Sequence, residues 1–173
     1  ISVAKLKQYI PNPSVSDEIL QDMLDGIESG IRKYTNNCFV VRGMSDDNSS
    51  VSLPNKVDTE LSLKVGDTIE ISNSIDNDGV YTVSDVTNGI EVIPSLNMAE
   101  NHVVVDLVRY PKDVQMGVVN LMKWELSNRE KMGVKSESIS RWSVTYFDVD
   151  NNNTLGYPSS LMSFLNPYRK ARF

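Results

Sequence analysis

The hydrophobic period of this chain changes twice before residue 128, and that change limits the folds open to it. Apolar positions recur at three- and four-residue steps up to about residue 37, alternate from about Val40 to Val108, and return to the helical step from Val114. Helices and strands bury apolar faces at periods of about 3.6 and 2.0 residues, so a segment patterned for one does not serve as the other. The chain is therefore expected to hold a β segment between two helical ones.

Within the alternating region, DTIEISN places Ile69 and Ile71 on one face, and VYTVSDV does the same for Tyr81 and Val83. Ile90, Val92, Val103, Val105 and Leu107 continue the pattern. Turn signals separate these runs at Val65-Gly66-Asp67, Asn77-Asp78-Gly79 and Asn88-Gly89. Short strands at such spacing predict a small antiparallel sheet or barrel.

The flanks read as helices. Val3, Leu6 and Ile10 share a face ahead of Pro11 and Pro13. In SVSDEILQDMLDGIESGIRKYTNN, Ser16 is the expected N-cap, and Asp17 and Glu18 suit the positive helix pole. Leu20, Met23, Leu24, Ile27, Ile31 and Tyr34 form the stripe, and Asn36-Asn37 the stop. Gly26 and Gly30 flank that stripe on Met23's side, either open to close approach by another backbone or a weakness tolerated in a packed helix. Pro111 opens a later helix with Val114, Val118, Leu121, Met122 and Leu126 on its stripe and Gly133 as its stop. RWSVTYF alternates again, aligning Trp142, Val144 and Tyr146. A short helix is expected at residues 160–165, limited by Pro167.

Two amphipathic helices on either side of a β segment each need a partner face, and the simplest solution packs them on one another. The expected fold is α+β: a helical core (residues 1–39 and 109–165), an inserted small antiparallel β-sheet or barrel (40–108) and an extended C-terminal arm (166–173). A chain of 173 residues can bury such a core without disulfides, and Cys38 is its single cysteine.

Candidate chemistry is sparse. His102 is the one histidine, and Cys38 has no histidine near it in sequence, so a Cys–His nucleophile lacks a visible orienting group. Asp148, Asp150 and Asn152 have the opening spacing of a calcium loop. Asn153 stands where that loop needs Gly, however, and Ser159 where it needs Glu. Asp76–Gly79 reads as a hairpin turn. No catalytic, cofactor or metal residues are assigned, and a non-enzymatic role is expected. No apolar run approaches the roughly 20 residues of a membrane helix, so no membrane partner is expected.

The net charge is −6. Residues 164–173 carry three Lys/Arg and no Asp/Glu, so elsewhere 14 cations face all 23 carboxylates. An acidic body of this kind argues against tight wrapping of nucleic acid. The ending PYRKARF sets Arg169, Lys170 and Arg172 between Tyr168 and Phe173, a composition suited to docking on another surface.

Three stretches resemble the head–tail connector (adaptor) proteins of phages: VAKLKQYI with SDEILQDMLDGIESGIRKYTN, then YPKDVQMGVVNLMKWEL, then YPSSLMSFLNPYRKARF. KVGDTIEISNSIDNDGVYTVSDV is similar to small β modules of phage virion proteins. The resemblance implies a structural protein of the virion neck, assembled in the bacterial cytoplasm as a ring of about a dozen copies. Such a ring would sit under the portal protein, contact a stopper or tail-completion protein, and let double-stranded DNA pass without sequence-specific binding. It also implies portal binding by Tyr168, Arg169, Lys170, Arg172 and Phe173. The insertion departs from the simplest, nearly all-helical adaptors. A tail-completion or stopper role, or a small enzyme or saccharide-binding module, are the alternatives.

Overall fold

A computed structural model describes residues 1–128, 136–139, 142–145 and 153–171. The chain divides into two compact units, residues 1–37 with 111–173, and residues 38–110.

The second unit is a closed barrel of six antiparallel strands: β1 (Val40–Ser52), β2 (Lys56–Asp58), β3 (Thr68–Ser72), β4 (Gly79–Asp85), β5 (Ile90–Ile93) and β6 (Glu100–Val108). Around the barrel they run β1-β2-β5-β4-β3-β6, and β6 pairs back with β1. Closure depends on β1, which is 13 residues long and pairs with both β2 and β6. Between Val40↔Val108 and Ser45↔Asp106 it holds more residues than its partner, and Gly43 at φ +78° takes up the excess. Ile69, Ile71, Tyr81, Val83, Val92, Val103, Val105 and Leu107 all point inward from the strands, as their alternation requires.

Two polar anchors hold the barrel's connections. The Asp46 carboxylate accepts from the Thr59 hydroxyl (2.6 Å), the Glu60 amide (2.8 Å), the Ser49 hydroxyl (2.8 Å) and the Asn48 amide (3.1 Å). These donors, the Thr59 hydroxyl foremost, hold its pKa well below the usual carboxylate range. At another site Asn77, only 1% exposed, accepts from the Asn97 amide (2.7 Å) and donates to the Met98 carbonyl (2.9 Å) and Glu100 (2.5 Å). Its own carbonyl accepts from the Tyr81 hydroxyl (3.0 Å).

The first unit contains α1 (Val3–Tyr9), α2 (Asp17–Thr35), α3 (Lys112–Asn128), α4 (Ser159–Met162) and a terminal 3-10 helix (Ser163–Tyr168). The paired strands Ser136–Ile139 with Trp142–Thr145 (β7, β8) and Asn153–Thr154 with Tyr157–Pro158 (β9, β10) complete it. Ser16 caps α2 by accepting from the Ile19 amide, and Asn36 ends it in the left-handed conformation. Leu20, Leu24, Ile27 and Ile31 of α2 are buried, as are Val114, Val118, Val119, Leu121 and Met122 of α3. The 3-10 helix lies so close to α3 that a Cβ on Gly117 would overlap the Phe164 ring. Gly133 and Tyr146 lie outside the described residues.

The expectation of a helical core with a small β insertion and an extended C-terminal arm is overturned in two respects. The β segment is a closed barrel with a core of twelve buried residues, a fold unit in its own right. Alternation specifies which faces turn inward, whereas closure depends on the β1–β6 register, which no local pattern carries. The arm is not extended either. Pro167 lies inside the 3-10 helix, Leu165 is fully buried, and the backbone stays bonded to α2 as far as Ala171.

Two glycine substitutions should separate contact from propensity. Gly117→Ala should lower stability by about 1–3 kcal/mol through overlap with Phe164. Gly26→Ala, where an added Cβ meets nothing within 4 Å, should raise it by up to about 1 kcal/mol. Chemical denaturation measures both, and equal effects would refute the Phe164 contact.

Asp46 sets a second expectation. Its depressed folded pKa means that its contribution is complete above its ordinary value of about 3.9 and is lost as pH falls below it. Asp46→Asn should therefore flatten part of the acid limb of stability, measured by urea unfolding between about pH 2 and 5. Parallel acid limbs for variant and wild type would rule out this contribution.

Candidate interaction surface and apolar groove

The last turn of a helix leaves carbonyls without intrahelical donors and carries partial negative charge. In α2 that end is met by the C-terminal segment. The Lys170 amide donates to the Thr35 carbonyl (2.8 Å), the Asn36 side chain donates to the Ala171 carbonyl (3.0 Å), and the Asn37 side chain donates to the Tyr168 carbonyl (3.2 Å). The Arg169 guanidinium stands 5.0 Å from the centre of the Tyr34 ring, within cation–π range. The Tyr168 hydroxyl donates to the Asp113 carboxylate at 2.8–2.9 Å, and that bond raises the phenol pKa by favouring the neutral form.

Of the expected portal-binding residues, Tyr168, Arg169 and Lys170 are thus gathered against the end of α2. The Arg169 and Lys170 side chains are exposed, Tyr168 is half-buried, and Arg172 and Phe173 lie outside the described residues. Pro167, read as the stop of the preceding helix, implied an extended arm beyond it. The backbone bonds to Thr35, Asn36 and Asn37 come from positions more than 130 residues away, beyond the reach of any local signal.

Charge is partitioned differently from the expectation of an acidic body with a basic tip. The barrel unit holds four Lys/Arg against twelve Asp/Glu, a net −8, while the other unit holds 13 against 11, a net +2. The acidity of the chain belongs to the barrel.

The helical unit also contains a groove of 460 Å³ lined mainly by Met23, Ile27, Leu121 and Met162, with Gly26 and Gly30 opening its α2 side. Gly30 is approached by Leu155 at 3.4 Å, whereas the space over Gly26 is empty. Glu125 is the one carboxylate in the lining. Burial, and then the hydrogen bond to Glu125, push the Tyr157 phenol well above its ordinary pKa. The Tyr157 ring also meets Trp124 edge-on, with centroids 5.5 Å apart. The two glycines hinted at this opening, but Leu155, Tyr157 and Met162 come from a segment whose placement only the fold decides.

His102 Nδ1 lies 2.9 Å from the Asn48 side-chain oxygen, and Cys38 is exposed. Asp78 accepts from the Ser74 amide (2.9 Å) within the hairpin turn. Asp148, Asp150 and Asn152 fall outside the described residues. Among the described residues no group of three or more His, Cys, Asp or Glu is placed to hold a metal ion, and no helix is long and apolar enough to cross a membrane. No protein-family model matches the chain, and no curated protein matches it either.

The clamp on α2 has a measurable consequence. Deleting residues 166–173 removes the bonds to Thr35, Asn36 and Asn37 and the Tyr168 bond to Asp113, each worth about 0.5 kcal/mol at these largely solvent-accessible positions. The thermal midpoint should fall by about 2–8 °C, with the loss visible in the helical circular-dichroism signal. An unchanged midpoint would show that the segment contributes nothing to the fold.

Proposed function

We propose that the protein is a structural subunit of a phage head–tail neck, an adaptor that binds the portal as a ring and forms part of the DNA channel. One observation carries this reading. The three stretches that resemble adaptors are separated in sequence, the first from the others by the barrel, yet they fold together as one unit comprising α1 and α2, α3, and the α4–3-10 segment. A likeness spread across distant segments gains weight when those segments are spatial neighbours.

In this role the C-terminal segment acts as a pinned contact surface. The Tyr168 hydroxyl is engaged by Asp113, so the exposed side chains of Arg169 and Lys170, followed by Arg172 and Phe173, would meet the portal. Pinning lowers the entropy lost on binding compared with a free arm. Single exposed ion pairs contribute only about 0–1 kcal/mol, so affinity would arise from many copies engaging together. The barrel's net −8 makes a surface that repels phosphate, in keeping with passage of DNA without retention.

Co-sedimentation with portal-bearing capsids tests the proposal. Wild type should bind and appear as a ring against the portal in electron microscopy. Arg169→Glu combined with Lys170→Glu should lose binding while keeping its thermal midpoint within a few degrees. Absence of binding to portals, with a ring on purified tails instead, would replace the adaptor reading with that of a stopper or tail-completion protein.

A further inference from the structure

The β4–β5 turn holds the one asparagine of this chain that is followed by glycine, Asn88-Gly89. Its first half is fixed. The Asp85 carboxylate accepts from the Thr87 hydroxyl (2.7 Å), the Val86 amide (2.8 Å) and the Thr87 amide (3.0 Å). Asn88 and Gly89 follow, and both are exposed. Gly89 has φ +101°, a conformation glycine adopts without the steric penalty of a side chain, and the space where a Cβ would stand is empty. The Gly89 nitrogen is therefore unshielded toward the Asn88 side chain.

A cation from another strand sets this pair apart from a bare sequence motif. The Lys56 side chain donates to the Asn88 main-chain carbonyl at 3.3 Å. That carbonyl and the Gly89 N–H belong to one resonant peptide group, so charge left on the nitrogen by loss of its proton spreads onto the oxygen that Lys56 meets. A donor placed where negative charge develops favours the step that generates it. The barrel sets Lys56 there, because β2 pairs with β5 and brings Lys56 opposite Glu91, just beyond the turn. We propose that Asn88-Gly89 is a self-modification site, at which Lys56 promotes cyclisation of the Asn88 side chain onto the Gly89 nitrogen.

The bonds balance with water as the sole co-reactant. Hydroxide takes the Gly89 amide proton, and the nitrogen attacks the carbonyl carbon of the Asn88 side chain. That carbon releases its own nitrogen as ammonia, which takes a proton from water and so regenerates hydroxide. The product is a cyclic imide. Water then opens the imide at one or the other carbonyl, leaving aspartate or isoaspartate, and no atom is oxidised or reduced. Isoaspartate routes the main chain through the former side chain and lengthens the turn by a methylene. Either product adds a negative charge to a unit of net −8 and places a carboxylate near the Lys56 ammonium. The chemistry is independent of any role in a phage neck.

Ageing of the folded protein at mildly alkaline pH tests the proposal. Peptide mapping by mass spectrometry, with isoaspartyl methyltransferase labelling as the probe, should find aspartate and isoaspartate at residue 88 earlier than at any other asparagine. Lys56→Gln changes an exposed side chain and should keep the circular dichroism and thermal midpoint of wild type. It should slow the reaction about two- to fivefold, the worth of one exposed charge contact. Lys56→Arg, which keeps a cation, should restore most of the rate. In the urea-unfolded chain Lys56 is no longer held beside the turn, so wild type and Lys56→Gln should react equally fast. The proposal is overturned by a folded wild type that keeps Asn88 intact while other asparagines react. It is equally overturned by folded Lys56→Gln reacting at the wild-type rate, or by a Lys56→Gln slowed to the same extent folded and unfolded.

Discussion

The pairing of the first and last barrel strands is the constraint on which the rest of the structure depends. β1 and β6 meet at Val40↔Val108, the Arg109 amide donates to the Phe39 carbonyl at 3.0 Å, and the Phe39 and Tyr110 rings lie 4.9 Å apart. The strand that enters the barrel and the strand that leaves it are thus neighbours. A chain that departs after α2 and returns before α3 can then place these helices against each other, although more than 70 residues separate them in sequence.

Polar side chains that brace the loops supply the second level of order. Asp46 and Asn77 are each satisfied by several partners, and each joins segments that the ladder of strand hydrogen bonds leaves loose. A polar group in such a position is costly when unpaired and directive when paired, because only one arrangement of the loops satisfies it. The same logic operates at the end of α2, where its orphan carbonyl and two asparagines fix the course of residues 168–171. The cations there sit at the negative pole of a helix, so their placement serves the fold as well as any partner.

Much of the local structure was legible. Ser16, Asn36 and the Leu20–Ile31 stripe announced α2 because capping and periodicity act within a few residues. The inward positions of β3, β4, β5 and β6 followed from alternation for the same reason. Pro167 misled because proline is compatible with a 3-10 turn at the right position, and burial of Leu165 carries the helix through it. The groove was only half visible: Gly26 and Gly30 marked it, while its remaining walls come from elements placed by tertiary packing.

By itself, the sequence determined the kinds of element, their order, their caps and their buried faces, since these depend on interactions within one or two turns of helix or along one strand. Tertiary structure alone decided that the sheet closes and that the basic ending is clamped to α2. Each of those outcomes joins residues far apart in the chain. Their energies come from registers and hydrogen bonds that arise only when the distant segments are already in place.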